Sequence, residues 1–130
     1  MFGVTPAQRQ LWQQRLQAEA AAVAQRQVAA RRLVQEALCQ LQGHWPQLTG
    51  AWLFGSLNDG CFGLQSDVDL ALEGLPEEAL LPAMALLEPL QDAAFESGGI
   101  AVDLVRLEAL DPHWQQRIRA RAEPLLAPTS

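Results

Sequence analysis

A long stretch without glycine or proline, from Ala7 to Gln42, constrains the fold of this chain more than any other feature of its sequence. Alanine, glutamine, leucine and arginine dominate the stretch, and all four favour or tolerate a helix. A single helix of this length would measure roughly 54 Å, whereas a globule of this chain length is only about 35 Å across. The helix therefore either extends beyond the body of the domain or breaks near residues 20–24 and folds back as a hairpin.

The residues at the two ends of this stretch are typical of helix boundaries. Thr5 and Gln8 have the spacing of a capping box, and Pro6 occupies the first helical position, where proline is favoured. Gly43 is the expected terminator, since glycine commonly follows the last helical residue. The sequence thus predicts a helix that begins after Thr5 and ends at Gly43.

Apolar residues in this helix recur with an alternating spacing of four and three, which is typical of a packed seam. Gln27 interrupts the seam, and additional leucines broaden it only in the second half. We expect the second half to lie on the core of the domain. The first half, which carries Leu11, Trp12 and Leu16, is expected to need a partner surface.

Composition and charge indicate a folded, acidic domain. The 130 residues fit one compact domain, and 49% hydrophobic against 18% charged residues excludes a wholly disordered chain. The net charge of −6 argues against non-specific binding of nucleic acid through a basic surface. We expect a long N-terminal helix over residues 1–43, which contacts a partner or a second copy, and a functional domain over residues 44–130.

The sequence predicts a cytoplasmic protein. Cys39 and Cys61 lack the spacing of metal ligands, so neither a zinc site nor a disulfide framework is expected. No charged segment followed by an apolar one resembles a secretory leader, and no apolar run approaches the roughly 18 residues of a membrane span. A reducing compartment without membrane contact is therefore the expected location.

After the long helix, the pattern changes to short strands that alternate with helices. Strands are expected over 48–54, 67–72 and 100–107, because these segments are continuously apolar or alternate with a period of two. Helices are expected over 75–95 and 112–121. The glycine-rich residues between the first two strands predict a loop or a single helical turn.

Three aspartates are the candidate metal ligands of this chain. Asp67 and Asp69 are separated by one residue, so on a strand they project from the same face and repel each other unless a cation binds between them. Asp103 lies in another expected strand, and pairing of the two strands could place it beside Asp69. Carboxylates without histidine or cysteine favour Mg²⁺ or Mn²⁺, and three of them can hold two ions for a displacement at phosphorus.

Gly55 and Ser56 are the candidate phosphate-binding residues. A glycine at the end of a strand lets the backbone approach a phosphate closely, because no Cβ intervenes. Ser56 adds a hydroxyl and an amide donor at a possible helix start. Together these two residues are suited to binding a triphosphate.

These residues together resemble a known signature. The pattern Gly55-Ser56-x10-Asp67-x-Asp69 looks like that of the polymerase-beta-type nucleotidyltransferase superfamily, in its minimal (MNT) branch. Further positions match the family as well: Gly60, Ser66, Leu70 and Asp103. The resemblance covers residues 46–126 and leaves most of the long helix outside.

The resemblance implies an α/β fold of the polymerase-beta type, with a short mixed sheet that has helices on one side, in addition to the long N-terminal helix. It implies transfer of AMP from ATP to an acceptor hydroxyl, with two Mg²⁺ ions, or Mn²⁺, as cofactors. Asp67 and Asp69 would hold both ions, while Asp103 would bind the catalytic ion and help to deprotonate the acceptor. Gly55 and Ser56 would bind the β- and γ-phosphates.

The resemblance also implies a partner protein. Minimal members commonly pair with a small helical HEPN protein in toxin–antitoxin systems. The acceptor would then be a tyrosine of the HEPN toxin, and this chain would be the antitoxin. The first half of the N-terminal helix is the expected docking surface for such a partner or for a second copy of this chain.

One position departs from the family pattern. Members commonly have an arginine just before the loop glycine, whereas this chain has Asp59 there. Arg106, Arg117 and Arg121 are candidates to supply the missing positive charge. The same departure favours an alternative function, in which a catalytically weak or inactive module of this fold neutralises its partner by occlusion.

Overall fold

The computed structural model describes residues 3–95 and 99–126, and its longest element is the N-terminal helix. Helix α1 runs without a break over Pro6–His44, so the hairpin alternative is wrong. Its 39 residues span roughly 58 Å. The Thr5 side chain accepts a hydrogen bond from the Gln8 N–H, and the Gln8 side chain accepts one from the Thr5 N–H, which confirms the predicted capping box.

Helix α1 has an exposed part and a packed part. Every residue of 5–21, a segment that we call the arm, is exposed to solvent. The seam from Ala30 to Leu41 is buried in the core of the domain, as the apolar spacing predicts. The helix passes through Gly43 and ends at His44, because the Trp45 N–H still donates to the Leu41 carbonyl (2.8 Å).

In the part of the chain that the structure describes, four strands form one mixed sheet in the order β3-β2-β1-β4. The strands are β1 (Gly50–Phe54), β2 (Val68–Glu73), β3 (Val102–Arg106) and β4 (Glu123–Pro124). Strand β1 pairs antiparallel with β2 and β4, and β2 pairs parallel with β3. The sequence predicts the first three strands but not β4, because two residues are too few to show a period.

Three further helices follow α1 among the described residues. Helix α2 (Ser56–Asp59) is the single helical turn that the sequence allows between β1 and β2. Helix α3 (Leu80–Ala93) follows a short 3-10 turn, contains Pro89 without ending there, and is shorter than predicted. Helix α4 (Pro112–Arg121) has the predicted bounds. Within residues 3–95 and 99–126, none of the helices combines the length with the apolar character that a bilayer-spanning helix needs.

Helices cover the two faces of the sheet to different extents. Helices α1 and α3 pack on the face that includes Leu53 and Leu70, in agreement with the expected helices on one side. Helix α4 departs from that expectation, because its Ile118 packs on the opposite face, where Trp52 and Ala71 need cover from water. The part of this opposite face that α4 does not cover, at the start of β2 and β3, is open.

Candidate active site

Three aspartates lie near one another at the open part of the sheet. Asp69 is the second residue of β2 and Asp103 is the second residue of β3, and the parallel register makes the two direct neighbours. Asp67 lies two residues before Asp69, at the entrance to β2. The structure therefore brings Asp103 beside Asp69, where the sequence predicts it, although the two residues are far apart along the chain.

Asp69 occupies a position where a negative charge is unfavourable. Partial burial raises its pKa, and the charges of Asp103 and then Asp67 raise it further. Asp69 is half-buried, whereas Asp67 and Asp103 are exposed. A cation close to Asp69 would offset this repulsion, because a positive charge favours the ionised carboxylate.

The donor set fits a hard divalent cation in its chemistry and in its place on the sheet. All three side chains are carboxylates, and oxygen ligands suit Mg²⁺ or Mn²⁺. Their oxygens are not gathered around one point: in the part of the chain that the structure describes, no group of three or more acidic, histidine or cysteine side chains is arranged to hold an ion. Side-chain rotation would have to bring the oxygens to a common ion.

Gly55 allows the end of β1 to approach the Asp69 carboxylate. Its φ is +77°, in the left-handed region, and a Cβ at this position would overlap the Asp69 Oδ2 atom. Ser56 follows directly as the first residue of α2 and is half-buried. The predicted phosphate-binding pair thus borders the predicted metal ligands.

Ser66 shapes the loop that leads into the site. Its hydroxyl accepts a hydrogen bond from the Gly63 N–H (2.9 Å), and its own N–H donates to the Gly63 carbonyl (3.4 Å). These two bonds fix the residue that immediately precedes Asp67. Gly60 ends α2 in the left-handed conformation, with a φ of +78°, which accounts for a glycine at this loop position.

A cleft of about 280 Å³ opens beside the end of β1, between α2 and α4. Asn58 and Asp59 line it from α2, and Trp114, Arg117 and Arg121 line it from α4. The Asn58 Nδ2 donates to the Arg121 carbonyl (3.2 Å) and joins the two helices. Asp59 therefore faces a cleft whose opposite wall carries two positive charges.

The candidate arginines have different surroundings. Arg117 and Arg121 border the cleft, whereas the Arg106 Nε donates to the Leu75 carbonyl (2.8 Å) and is held at another part of the domain. Arg119 pairs with Glu73 and helps to hold α4 on the sheet. Two of the three candidates that the sequence offers thus remain as cations for the cleft.

Trp114 also lines the cleft, although for this residue the sequence favours a packing role over one at the edge of a base-binding cleft. Its side chain is 49% exposed, and the Arg117 guanidinium lies 5.5 Å from the centre of its ring. Trp114, Arg117 and Arg121 recur at spacings of three and four, so they share one face of α4. That spacing predicts the shared face from the sequence, but only the packing of α4 places this face at the cleft.

No family model and no curated protein matches this chain. Two crystal structures of the toxin–antitoxin MntA-HpeT match with a TM-score of 0.57. One carries a tyrosine-to-alanine substitution, with 23% identity over 73% of this chain and 72% of that chain. The other carries two aspartates, separated by one residue, replaced by glutamate, with 20% identity over 73% of each chain.

A further toxin–antitoxin crystal structure, with AMP-PNP, has the same TM-score of 0.57, with 23% identity over 72% of this chain and 73% of that chain. Likeness at these identities establishes a shared fold.

Proposed function

We propose that this chain, whose fold is that of the minimal nucleotidyltransferases, transfers AMP from ATP to a hydroxyl group of a partner protein. The observation that carries the proposal is the parallel register of β2 and β3, which makes Asp69 and Asp103 neighbours. Carboxylates beside a glycine-serine turn supply what nucleotidyl transfer needs, namely ligands for divalent cations and donors for a triphosphate.

In the proposed reaction, the oxygen of the acceptor hydroxyl attacks the α-phosphorus of ATP. A bond forms between that oxygen and the phosphorus, the bond from the phosphorus to the bridging oxygen of the β-phosphate breaks, and pyrophosphate leaves. Asp103 accepts the hydroxyl proton, a role that suits an exposed carboxylate at the open face. The backbone of Gly55 and the hydroxyl of Ser56 bind the β- and γ-phosphates.

Asp67, Asp69 and Asp103 would hold two Mg²⁺ ions, or Mn²⁺. When bound, such ions offset negative charge on the attacking and leaving oxygens. The raised pKa of Asp69, which follows from its burial and its two acidic neighbours, supports a cation at this position.

The cleft between α2 and α4 is the proposed place for the rest of the nucleotide. Trp114 offers an exposed aromatic face for the base, and Arg117 and Arg121 offer positive charge for phosphates. The family pattern has an arginine at the end of α2, where this chain has Asp59. In this chain, Arg117 and Arg121 would supply that positive charge from the opposite wall of the cleft.

We further propose that the acceptor is a tyrosine of a HEPN-type toxin, with this chain as the antitoxin. The neighbouring structures are toxin–antitoxin structures, one with AMP-PNP and one with a substituted tyrosine. The arm of α1 supports docking of such a partner, since Leu11, Trp12 and Leu16 are all at least 48% exposed.

The proposal is tested by incubating the chain with ATP, Mg²⁺ and the candidate partner, and measuring the intact mass of the partner. Transfer adds the mass of one AMP residue. Asp67→Asn and Asp69→Asn should each abolish the addition, while Asp92→Asn, an exposed aspartate of α3, should leave it unchanged. Persistence of the addition in both site variants would show that the assigned roles are wrong.

The alternative is a module that occludes its partner without transferring AMP. The observation in its favour is Asp59, whose negative charge lines the cleft proposed for phosphates. The same mass measurement separates the two functions, because occlusion adds no mass. An inhibited but unmodified partner, with wild-type chain and ATP present, would support occlusion and contradict transfer.

Docking through the arm is tested by Trp12→Glu combined with Leu16→Glu. Both positions are exposed, so the variant should keep its fold while losing binding to the partner or to a second copy. Gln14→Glu, on another face of the same helix, adds one negative charge and should have no such effect. Light scattering with and without the partner measures the assembly, and an unchanged mass for the double variant would exclude the arm as the docking surface.

A further inference from the structure

Arg26 is a buried arginine that lies where α1 enters the core. Only 7% of its surface is exposed. Its guanidinium donates three hydrogen bonds: from Nε to the Gly63 carbonyl (3.1 Å), from Nη2 to the Ser66 carbonyl (2.9 Å) and from Nη1 to the Gly99 carbonyl (3.1 Å). The guanidinium therefore joins α1 to two segments that are distant from it and from each other in the sequence.

The surroundings of this guanidinium hold it in one position. Its central carbon lies 5.5 Å from the centre of the Phe62 ring and 5.8 Å from that of Phe95. Aromatic faces stabilise a cation that has lost its water, and the planar guanidinium can donate to several acceptors at fixed angles. All three described acceptors are main-chain carbonyls, so the contacts fix the course of the backbone.

Both of these segments lead directly into the candidate active site. Ser66 precedes Asp67, and Gly99 lies four residues before Asp103. The Val68 N–H donates to the Ala101 carbonyl (2.9 Å), so the two segments join each other where β2 and β3 begin. Displacement of either segment would change the spacing between the carboxylates.

We propose that Arg26 is a positioning residue that sets the spacing of Asp67, Asp69 and Asp103 by holding the segments before β2 and β3 to α1. The inference rests on the proposed function, because it concerns the cation-binding carboxylates. It also assigns a role to Gln27, the polar interruption of the apolar seam: its Nε2 donates to the Phe62 carbonyl (3.2 Å), in the same loop. The second part of α1 thus supports the site as well as the core.

The test compares Arg26→Met, which keeps the length of the side chain but removes every donor, with Arg26→Lys, which keeps the charge but cannot reach three carbonyls. Arg32→Met is the matched control, since Arg32 is an exposed arginine of the same helix. Hydrogen exchange is measured over 61–67 and 99–103 in the full chain without nucleotide, and Mn²⁺ binding is measured by calorimetry. Arg26→Lys also provides the answer if Arg26→Met does not fold.

We expect faster exchange in both segments for each Arg26 variant, with α3 unchanged. Mn²⁺ affinity should fall at least about tenfold in Arg26→Met and less in Arg26→Lys, as is usual when a residue that supports metal ligands is removed. Arg32→Met should match the wild type in both measurements. Unchanged exchange, or faster exchange with wild-type Mn²⁺ affinity, in a folded Arg26 variant would overturn the positioning role. Failure of the wild type itself to bind Mn²⁺ would instead contradict the proposed function.

Discussion

Asp69 links the stability of this protein to the chemistry of its site. Its carboxylate is half-buried and lies beside Asp103 in the strand register, with Asp67 two residues away. Burial and these two charges raise its pKa, so folding favours the protonated form of this side chain. The folded chain therefore tolerates the ionised form at neutral pH at a cost in stability, which a bound cation can offset.

The free energy of unfolding should therefore fall as the pH rises through the raised pKa of Asp69, in the absence of divalent cations. Asp69→Asn should remove this fall and raise the midpoint of thermal unfolding at pH 7 by a few degrees, whereas Asp92→Asn should not. Addition of Mg²⁺ should stabilise the wild type more than Asp69→Asn. Thermal unfolding at several pH values measures both effects, and an Asp69→Asn chain that is less stable than the wild type at pH 7 would refute this account of Asp69.

The glycines before and after α2 differ in what surrounds them. Gly55 and Gly60 both have a φ near +78°, but only at Gly55 would a Cβ meet another atom, the Asp69 Oδ2. Gly60→Ala should lose about 1–2 kcal/mol for the left-handed backbone alone. Gly55→Ala should lose more, because the Asp69 carboxylate must also move. Urea unfolding measures the difference, and equal losses would mean that Gly55 does not limit the approach of β1 to Asp69.

Helices α1 and α4 have side-chain caps of the same kind, but they differ in what they pack on. Thr5 caps the exposed arm, whereas Asp111 caps α4, whose Ile118 is buried against the sheet. The two caps should therefore have different consequences for the domain, since the cap of α1 lies on the exposed arm, far from the part of α1 that packs on the core, whereas α4 is a short helix packed on the sheet.

Asp111→Ala should lower the free energy of unfolding by about 1 kcal/mol, the usual cost of a lost cap. Thr5→Ala should leave global unfolding unchanged and only accelerate hydrogen exchange in residues 5–21. Chemical unfolding followed by tryptophan fluorescence, together with hydrogen exchange, measures the two. A global loss in Thr5→Ala equal to that in Asp111→Ala would show that the arm is packed in solution.

The elements that the sequence predicts are those with a strong local signal. Helix α1 has no glycine or proline from Ala7 to Gln42, and α4 has both a cap and a proline at its first position, so most of their extent follows from local preferences. The presence of β4, in contrast, depends on tertiary contacts. The Leu125 N–H, for example, donates to the Ala51 carbonyl (2.8 Å), which extends the pairing of the last strand with β1.

The residues of the candidate site likewise differ in whether a local sequence signal or tertiary packing determines their place. Four of the site residues lie close together in the sequence and form one motif of fixed spacing, so the sequence alone identifies them: Gly55, Ser56, Asp67 and Asp69. The cleft wall of α4 and the contacts of Arg26 depend on which elements pack together, and the sequence alone does not give that packing. Asp103 is an intermediate case. The alternation of side chains along its strand predicts which face of the strand carries Asp103, whereas only the parallel register of β2 and β3 places it beside Asp69.

The whole molecule combines an acidic body with an exposed helical arm. Residues 44–105 carry ten acids and no base, whereas eight of the nine arginines lie in α1 and α4. A nucleotide is therefore expected to approach from the α4 side, where positive charge lines the cleft, and to need cations beside the aspartates. The arm is the exposed N-terminal part of α1, and its apolar residues Leu11, Trp12 and Leu16 are the proposed docking surface for a partner.

The most direct test of the central claim, that three aspartates of neighbouring strands form one cation site, is calorimetric titration of Mn²⁺ in the presence of a non-hydrolysable ATP analogue. The wild type should bind Mn²⁺, Asp103→Asn should bind it at least about tenfold more weakly, and Asp92→Asn should match the wild type. Asp103 is the informative position because it reaches the site only through the pairing of β3 with β2. Wild-type Mn²⁺ affinity in Asp103→Asn would contradict the account.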